Sequence, residues 1–133
     1  MEKTPTIEEA NRLVEKYLAE ARSVLPGTLS TEPHYKETSG ICGGNESDMV
    51  LATDSFKVSD LTTDQISKYF SMLREWWTHH DYRILENRGN EYLWVEHNSD
   101  GFRLTLKSNK DGEIYLISTS PCVWPNGTPS PES

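Results

Sequence analysis

The chain has 133 residues, 35% of them hydrophobic, and a formal net charge of −8. That length is one domain with a thin core. The acidic balance argues against nucleic acid and anionic membrane surfaces, both of which call for clustered Lys and Arg. No apolar run approaches the roughly 18–20 residues that span a bilayer.

The opening residues MEKTPTIEEA lack the apolar stretch of a secretory signal, and residues 1–5 read as frayed. The stretch TIEEANRLVEKYLAEARSVL reads as a helix. Thr6 and Glu9 have capping-box spacing, and Ile7, Ala10, Val14, Tyr17, Leu18, Ala21 and Leu25 recur at helical spacing. Pro26-Gly27 ends it. A polar loop over 26–40 is expected to hold a short extended piece around His34–Glu37, with a sharp turn at Gly43-Gly44-Asn45. DMVLATDSFKVS then reads as a strand with Val50, Ala52, Phe56 and Val58 inward.

The clearest helix is TTDQISKYFSMLREWWTHH. Thr62 and Gln65 form a second capping box, and Ile66, Tyr69, Phe70, Leu73, one of Trp76 and Trp77, and His80 share a face. Four strand candidates follow, DYRILE, EYLWVEH, FRLTLKS and EIYLISTS. They are joined by the turn sequences NRGN, NSDG and NKDG, two of which end in Asp-Gly. The expected fold is α+β: a single antiparallel sheet with a C-terminal four-strand meander packed against two helices. Residues 1–125 form one domain, and 126–133 read as a disordered Pro/Ser-rich tail.

Cys42 in SGICGGN and Cys122 in TSPCVWP are the two cysteines, each flanked by turn formers. A bridge would close a loop of about 80 residues and stabilise the fold by roughly 3–5 kcal/mol. The competing reading is two separate buried thiols in a cytosolic protein. A bridge is the expectation, and it places the protein outside the cytosol.

Signals for chemistry are weak. There is no GxSxG elbow, Walker A loop or GxGxxG fingerprint. His79 and His80 are adjacent, so on a helix they point about 100° apart and do not share a metal easily. Glu86, Glu91, Glu96 and Asp100 sit near hairpin ends, where solvated carboxylates are the simpler reading. No catalytic residue, metal site or cofactor is expected. Asn45 in NES and Asn126 in NGT fit the glycosylation sequon, a pattern that chance often produces.

Four tryptophans are the more informative feature. Alternation sets Tyr92 and Trp94 against Leu93 and Val95, and Tyr115 and Ile117 against Ile114 and Leu116. One set belongs to the core. The other forms an amphipathic patch on the sheet, either open or covered by a loop or the first helix. Tyr92, Trp94, Tyr115 and Trp77 are the candidate binding residues, since Tyr and Trp are favoured interface anchors.

Several short motifs together resemble a group of small uncharacterised secreted proteins and lipoproteins of actinobacteria such as Streptomyces. These are the helix ending ARSVLPGTL, Cys42 in a loop, LREWWTHHDYRIL, the GFRL strand at Gly101–Leu104, and Ser120-Pro121-Cys122 before a Pro-rich end. The resemblance covers roughly residues 10–125. It implies export, often with lipid anchoring through an N-terminal cysteine that this sequence lacks at its start, and a bridge between the two cysteines. It carries no activity.

The favoured reading is a non-catalytic extracytoplasmic module, secreted or envelope-anchored, that binds a protein partner. A toxin-neutralising immunity role is one version, and the acidic charge suits a basic partner. The alternative is a small-ligand or envelope-component binder with an apolar pocket near Trp76, Trp77 and Tyr92. A hydrolase ranks third.

Overall fold

The computed structural model describes residues 3–42 and 48–128. Helix α1 (Ile7–Val24) starts at the Thr6–Glu9 capping box: Glu9 N–H donates to the Thr6 hydroxyl, and Thr6 N–H donates to the Glu9 carboxylate. It stops at Leu25, whose ψ of 157° is the extended conformation that a following proline imposes. Arg22 satisfies the loose end by donating to the carbonyls of Pro26 and Leu29. Helix α2 (Thr63–Thr78) carries the second capping box, Thr62 with Gln65. Its buried stripe is Ile66, Tyr69, Phe70, Leu73 and Trp77.

The strands are β1 (Glu32–Ile41), β2 (Val50–Val58), β3 (Tyr82–Arg88), β4 (Tyr92–His97), β5 (Arg103–Ser108) and β6 (Ile114–Thr119). All neighbours pair antiparallel in the order β1-β2-β6-β5-β4-β3. The α+β class and the single sheet are as expected, but the sheet has six strands rather than a four-strand meander. After α2 the chain lands on the far edge with β3, and the meander walks back until β6 pairs with β2. The extended piece expected near His34–Glu37 is a ten-residue edge strand with two register shifts. Ser55 supports that irregular edge: its hydroxyl accepts from Tyr35 N–H and donates to Tyr35 C=O, in place of ladder bonds.

Both helices lie on one face of the sheet. Their buried residues join Ala52, Phe56, Val58, Leu93, Val95, Leu104, Leu106, Ile114 and Leu116 in one core. These strand residues stand opposite one another in register, as in Leu93↔Leu106↔Leu116↔Phe56. The alternation left open in the sequence is thereby settled, with Leu93, Val95, Ile114 and Leu116 inward.

Cys42 follows directly on β1 and is bonded to Cys122, just past β6, with their Cα atoms 5.8 Å apart. Beside the bridge, Val50 and Val123 exchange two 2.8 Å backbone hydrogen bonds. The segment before α1 is then joined to the one after Cys122. Trp124 N–H donates to the Thr4 hydroxyl, Thr4 N–H to Gly127 C=O, and Ile7 N–H to Pro125 C=O. Thr4 and Ile7 are thus hydrogen-bonded to the segment that follows Cys122, as far as Gly127. The Gly43-Gly44-Asn45 turn, the sequon at Asn45 and residues 129–133 lie outside the described residues.

Candidate binding face

The sheet face away from the helices is built in three rows that follow from the register. One row is Arg88, Tyr92, Lys107, Tyr115 and Lys57. The next is Glu86, Trp94, Thr105, Ile117 and Ser55, and the third Arg83, Glu96, Arg103, Thr119 and Thr53. Tyr92, Trp94, Tyr115 and Ile117 are half-buried here, by their own neighbours on the sheet. Neither helix contributes to this side, and none of the four belongs to the main core.

Cations lie over the rings. The Arg103 guanidinium is 5.0 Å from the Trp94 centroid, Arg88 5.6 Å from Tyr92, and the Lys107 ammonium 5.5 Å from Tyr115. Such contacts add modest attraction at exposed sites and fix both partners in place. His34 of the edge strand packs on Tyr115 at 4.7 Å. Glu96 is buried in the third row, accepting from Arg83 at Oε1 and from Arg103 Nε at Oε2 over 2.9 Å. The bonds from Arg103 and then Arg83 hold its carboxyl below the usual carboxylate range.

Three of the four expected binding residues, Tyr92, Trp94 and Tyr115, come together on this face. Trp77 does not. It is fully buried in the core at 0% exposure because it continues the inward stripe of α2, so it is no surface anchor. Trp76 is the outer member of the pair and stacks on His80 at 4.1 Å. His80 is exposed rather than on the packed face. His79 and His80 each donate from Nδ1 to a helix carbonyl, Glu75 and Trp76 respectively, and so finish the helix end.

The pocket expected to join Trp76, Trp77 and Tyr92 is not formed, since the tryptophans lie on the helix side of the sheet and Tyr92 on the other. A hollow of about 390 Å³ beside Trp76 and Met72 touches neither Trp77 nor Tyr92. The carboxylates Glu91 and Asp100 sit beyond opposite ends of β4 and do not converge.

A Ser99–His97–Asp100 cluster stands at the β4–β5 turn. Ser99 Oγ lies 2.9 Å and Asp100 Oδ1 3.1 Å from the same imidazole nitrogen, Nδ1. A nucleophile and its orienting acid need opposite nitrogens of the ring, so this arrangement does not form a proton-relay triad. Asp100 instead accepts the hydroxyl of Tyr17 from α1, and His97 stacks on that ring at 5.2 Å. Among the described residues no cluster of three or more His, Cys, Asp or Glu is placed to hold a metal ion, and no helix is long and apolar enough to cross a membrane.

Sequence reasoning placed Arg103, Thr105 and Lys107 on one side of their strand. It did not foresee Arg103 over Trp94 or Lys107 over Tyr115, because those contacts depend on cross-strand register. Comparison with protein-family models, curated proteins and solved structures finds no match.

Proposed function

We propose that this protein is a non-catalytic binding module that works outside the cytosol and docks a protein partner through the open face of its sheet. The observation that carries the reading is the half-buried row of Tyr92, Trp94, Tyr115 and Ile117 on a face to which neither helix contributes. Aromatic and Arg side chains are the groups that dominate binding energy at interfaces. Here they stand on a six-stranded sheet, so little freedom is lost on docking. The Cys42–Cys122 bridge favours an oxidising compartment, and the resemblance to secreted actinobacterial proteins points the same way. Neutralising a toxin by covering its surface is one role such a rigid face fits.

Net charge alone favours a basic partner, but this face does not share the chain's acidic surplus. Lys57, Arg83, Arg88, Arg103 and Lys107 stand on it against Glu32, Glu37, Glu86, Glu96 and Glu113, the last reaching Lys57 and the Tyr115 hydroxyl, so the two signs balance in a chain of net charge −8.

The test is site-specific photocrosslinking in the native host. Benzoylphenylalanine in place of Thr105, at the centre of the open face, is expected to trap a protein partner. The same probe in place of Lys68, exposed on α2, is expected to trap none. Crosslinks from position 68 alone, or from neither position, would overturn the reading.

A further inference from the structure

We propose that Arg83 and Arg103, paired across Glu96, are the recognition point for a carboxylate on the partner, so that the open face takes an acidic segment in which a Glu or Asp stands beside an apolar residue. The inference rests on the open-face reading above and adds the chemistry of what binds there.

Two guanidinium groups share one carboxylate. Glu96 is 8% exposed, and each of its oxygens accepts from a different arginine. Among the described residues the cluster therefore keeps one positive charge beyond the pair. The arginine side chains remain 63% and 49% exposed. A guanidinium has five N–H donors. Among the described residues, Arg83 uses only Nη2 and Arg103 only Nε in side-chain hydrogen bonds, which leaves their other donors to face a ligand. Planar forks of this kind match a carboxylate with two parallel hydrogen bonds.

The geometry is also fixed in advance. Arg103 is clamped from two sides, by Glu96 at 2.9 Å and by the face of Trp94 at 5.0 Å. Its long side chain has thus already lost much of the freedom that docking would otherwise remove. Thr119, opposite Arg103 in the register, adds a hydroxyl on the same row.

A hollow of about 420 Å³ adjoins the cluster. Arg103 and Glu96 line it, and so do Leu51, Pro121 and Cys122. A carboxylate held by Arg103 would set a neighbouring apolar side chain against those apolar groups. Further along the face, Lys107 forms no ion pair among the described residues and offers a second cation two rows away.

The chain's net charge of −8 does not prevent this. Exposed charges farther away than a Debye length, about 8 Å at physiological ionic strength, are largely screened. The arginines would touch the ligand directly.

The test is an NMR titration of the full, disulfide-bonded chain with three capped tetrapeptides, Leu-Glu-Glu-Leu and its Gln-Gln and Lys-Lys counterparts. The Glu peptide is expected to shift the Nε–H signals of Arg83 and Arg103 and the indole signal of Trp94. Arg103→Gln and Arg83→Gln should each weaken it about tenfold, as expected for loss of a charged contact. Lys110→Gln, on the β5–β6 turn, should leave it unchanged. A folded amide spectrum for each variant separates lost binding from lost structure. Equal or tighter binding of the Lys peptide, or no shift with the Glu peptide at millimolar concentration, would overturn the inference. If position 105 crosslinks a partner and the Glu peptide fails, only the partner chemistry is wrong. If position 105 traps nothing, the open-face reading itself falls.

Discussion

Tyr17 of α1 and Asp100 of the β4–β5 turn, 83 residues apart, meet in a side-chain hydrogen bond in which the tyrosine hydroxyl donates to the carboxylate. Around it, Tyr17 packs edge-on to Phe102 at 5.5 Å and to Tyr82 at 6.3 Å. The bond ties the first helix to the β4–β5 hairpin end. Tyr17→Phe keeps the ring and removes the donor. A hydrogen bond to a charged acceptor contributes about 1.5–3 kcal/mol, so urea unfolding should show a loss in that range. An unchanged midpoint would mean the bond adds no net stability.

The same cluster predicts sensitivity to alkali. The Tyr17 hydroxyl is pushed above its ordinary value by burial and then by its bond to Asp100. That of Tyr82 is pushed up by burial and then by the charge of Tyr17. The unfolded chain releases these protons near pH 10, while the folded chain retains them. Their contribution is therefore complete below about pH 10 and is lost as pH rises beyond it. Urea midpoints of the wild type should fall between about pH 9 and about pH 11, and those of Tyr17→Phe/Tyr82→Phe should fall less. Parallel curves would disprove the assignment.

The bridge joins positions separated by 80 residues. Denatured, unreduced protein made under oxidising conditions should take up no alkylating label, and two labels after reduction. The double variant Cys42→Ala/Cys122→Ala should lose about 3–5 kcal/mol by denaturant unfolding. Labelling without reduction would remove the bridge and, with it, the main support for an oxidising compartment.

Two tryptophans should separate core from face. Trp77→Ala empties a fully buried site and should cost about 3–5 kcal/mol. Trp94→Ala removes a half-buried ring and its contact with Arg103, and should cost about 1 kcal/mol or less. Equal costs would show that Trp94 is a structural residue rather than a spare surface anchor.

Glycines at two hairpin turns offer a matched pair. Gly101 and Gly112 both have φ of +76°. A Cβ at Gly101 meets nothing within 4 Å, whereas at Gly112 it would sit 2.6 Å from the Leu61 carbonyl oxygen. That contact lies beside the bond from Leu61 N–H to Gly112 C=O, which holds the start of α2 against the β5–β6 turn. Gly101→Ala should cost about 1–2 kcal/mol from the backbone alone. Gly112→Ala should cost more. Thermal unfolding of both variants in one buffer checks the order.

Much of the local structure was legible in the residues. Both capping boxes, the stop at Pro26 and the inward stripe of α1 were readable because each depends on neighbours within one or two turns. The alternation of Leu104 and Leu106 against Arg103, Thr105 and Lys107 was readable for the same reason, since a strand repeats every second residue. Legibility stopped where a contact crosses the sheet. Sequence periodicity narrowed the inner tryptophan of α2 to Trp76 or Trp77, and the packed core chose Trp77. Alternation narrowed each strand to two faces, and the position of the helices chose between them.

By itself, the sequence determined the class, the two helices, the strands of the meander and the pair of cysteines. Each follows from local propensity, short-range patterning or simple count. Only the tertiary structure decided that β6 pairs with β2, that β1 is a full edge strand, and that Thr4 and Ile7 are hydrogen-bonded to the segment after Cys122. It alone brought Arg83 and Arg103 together on Glu96 and laid Arg103 over Trp94. Such contacts join residues far apart along the chain or on different strands, and which of them form depends on the packing and register of the whole sheet.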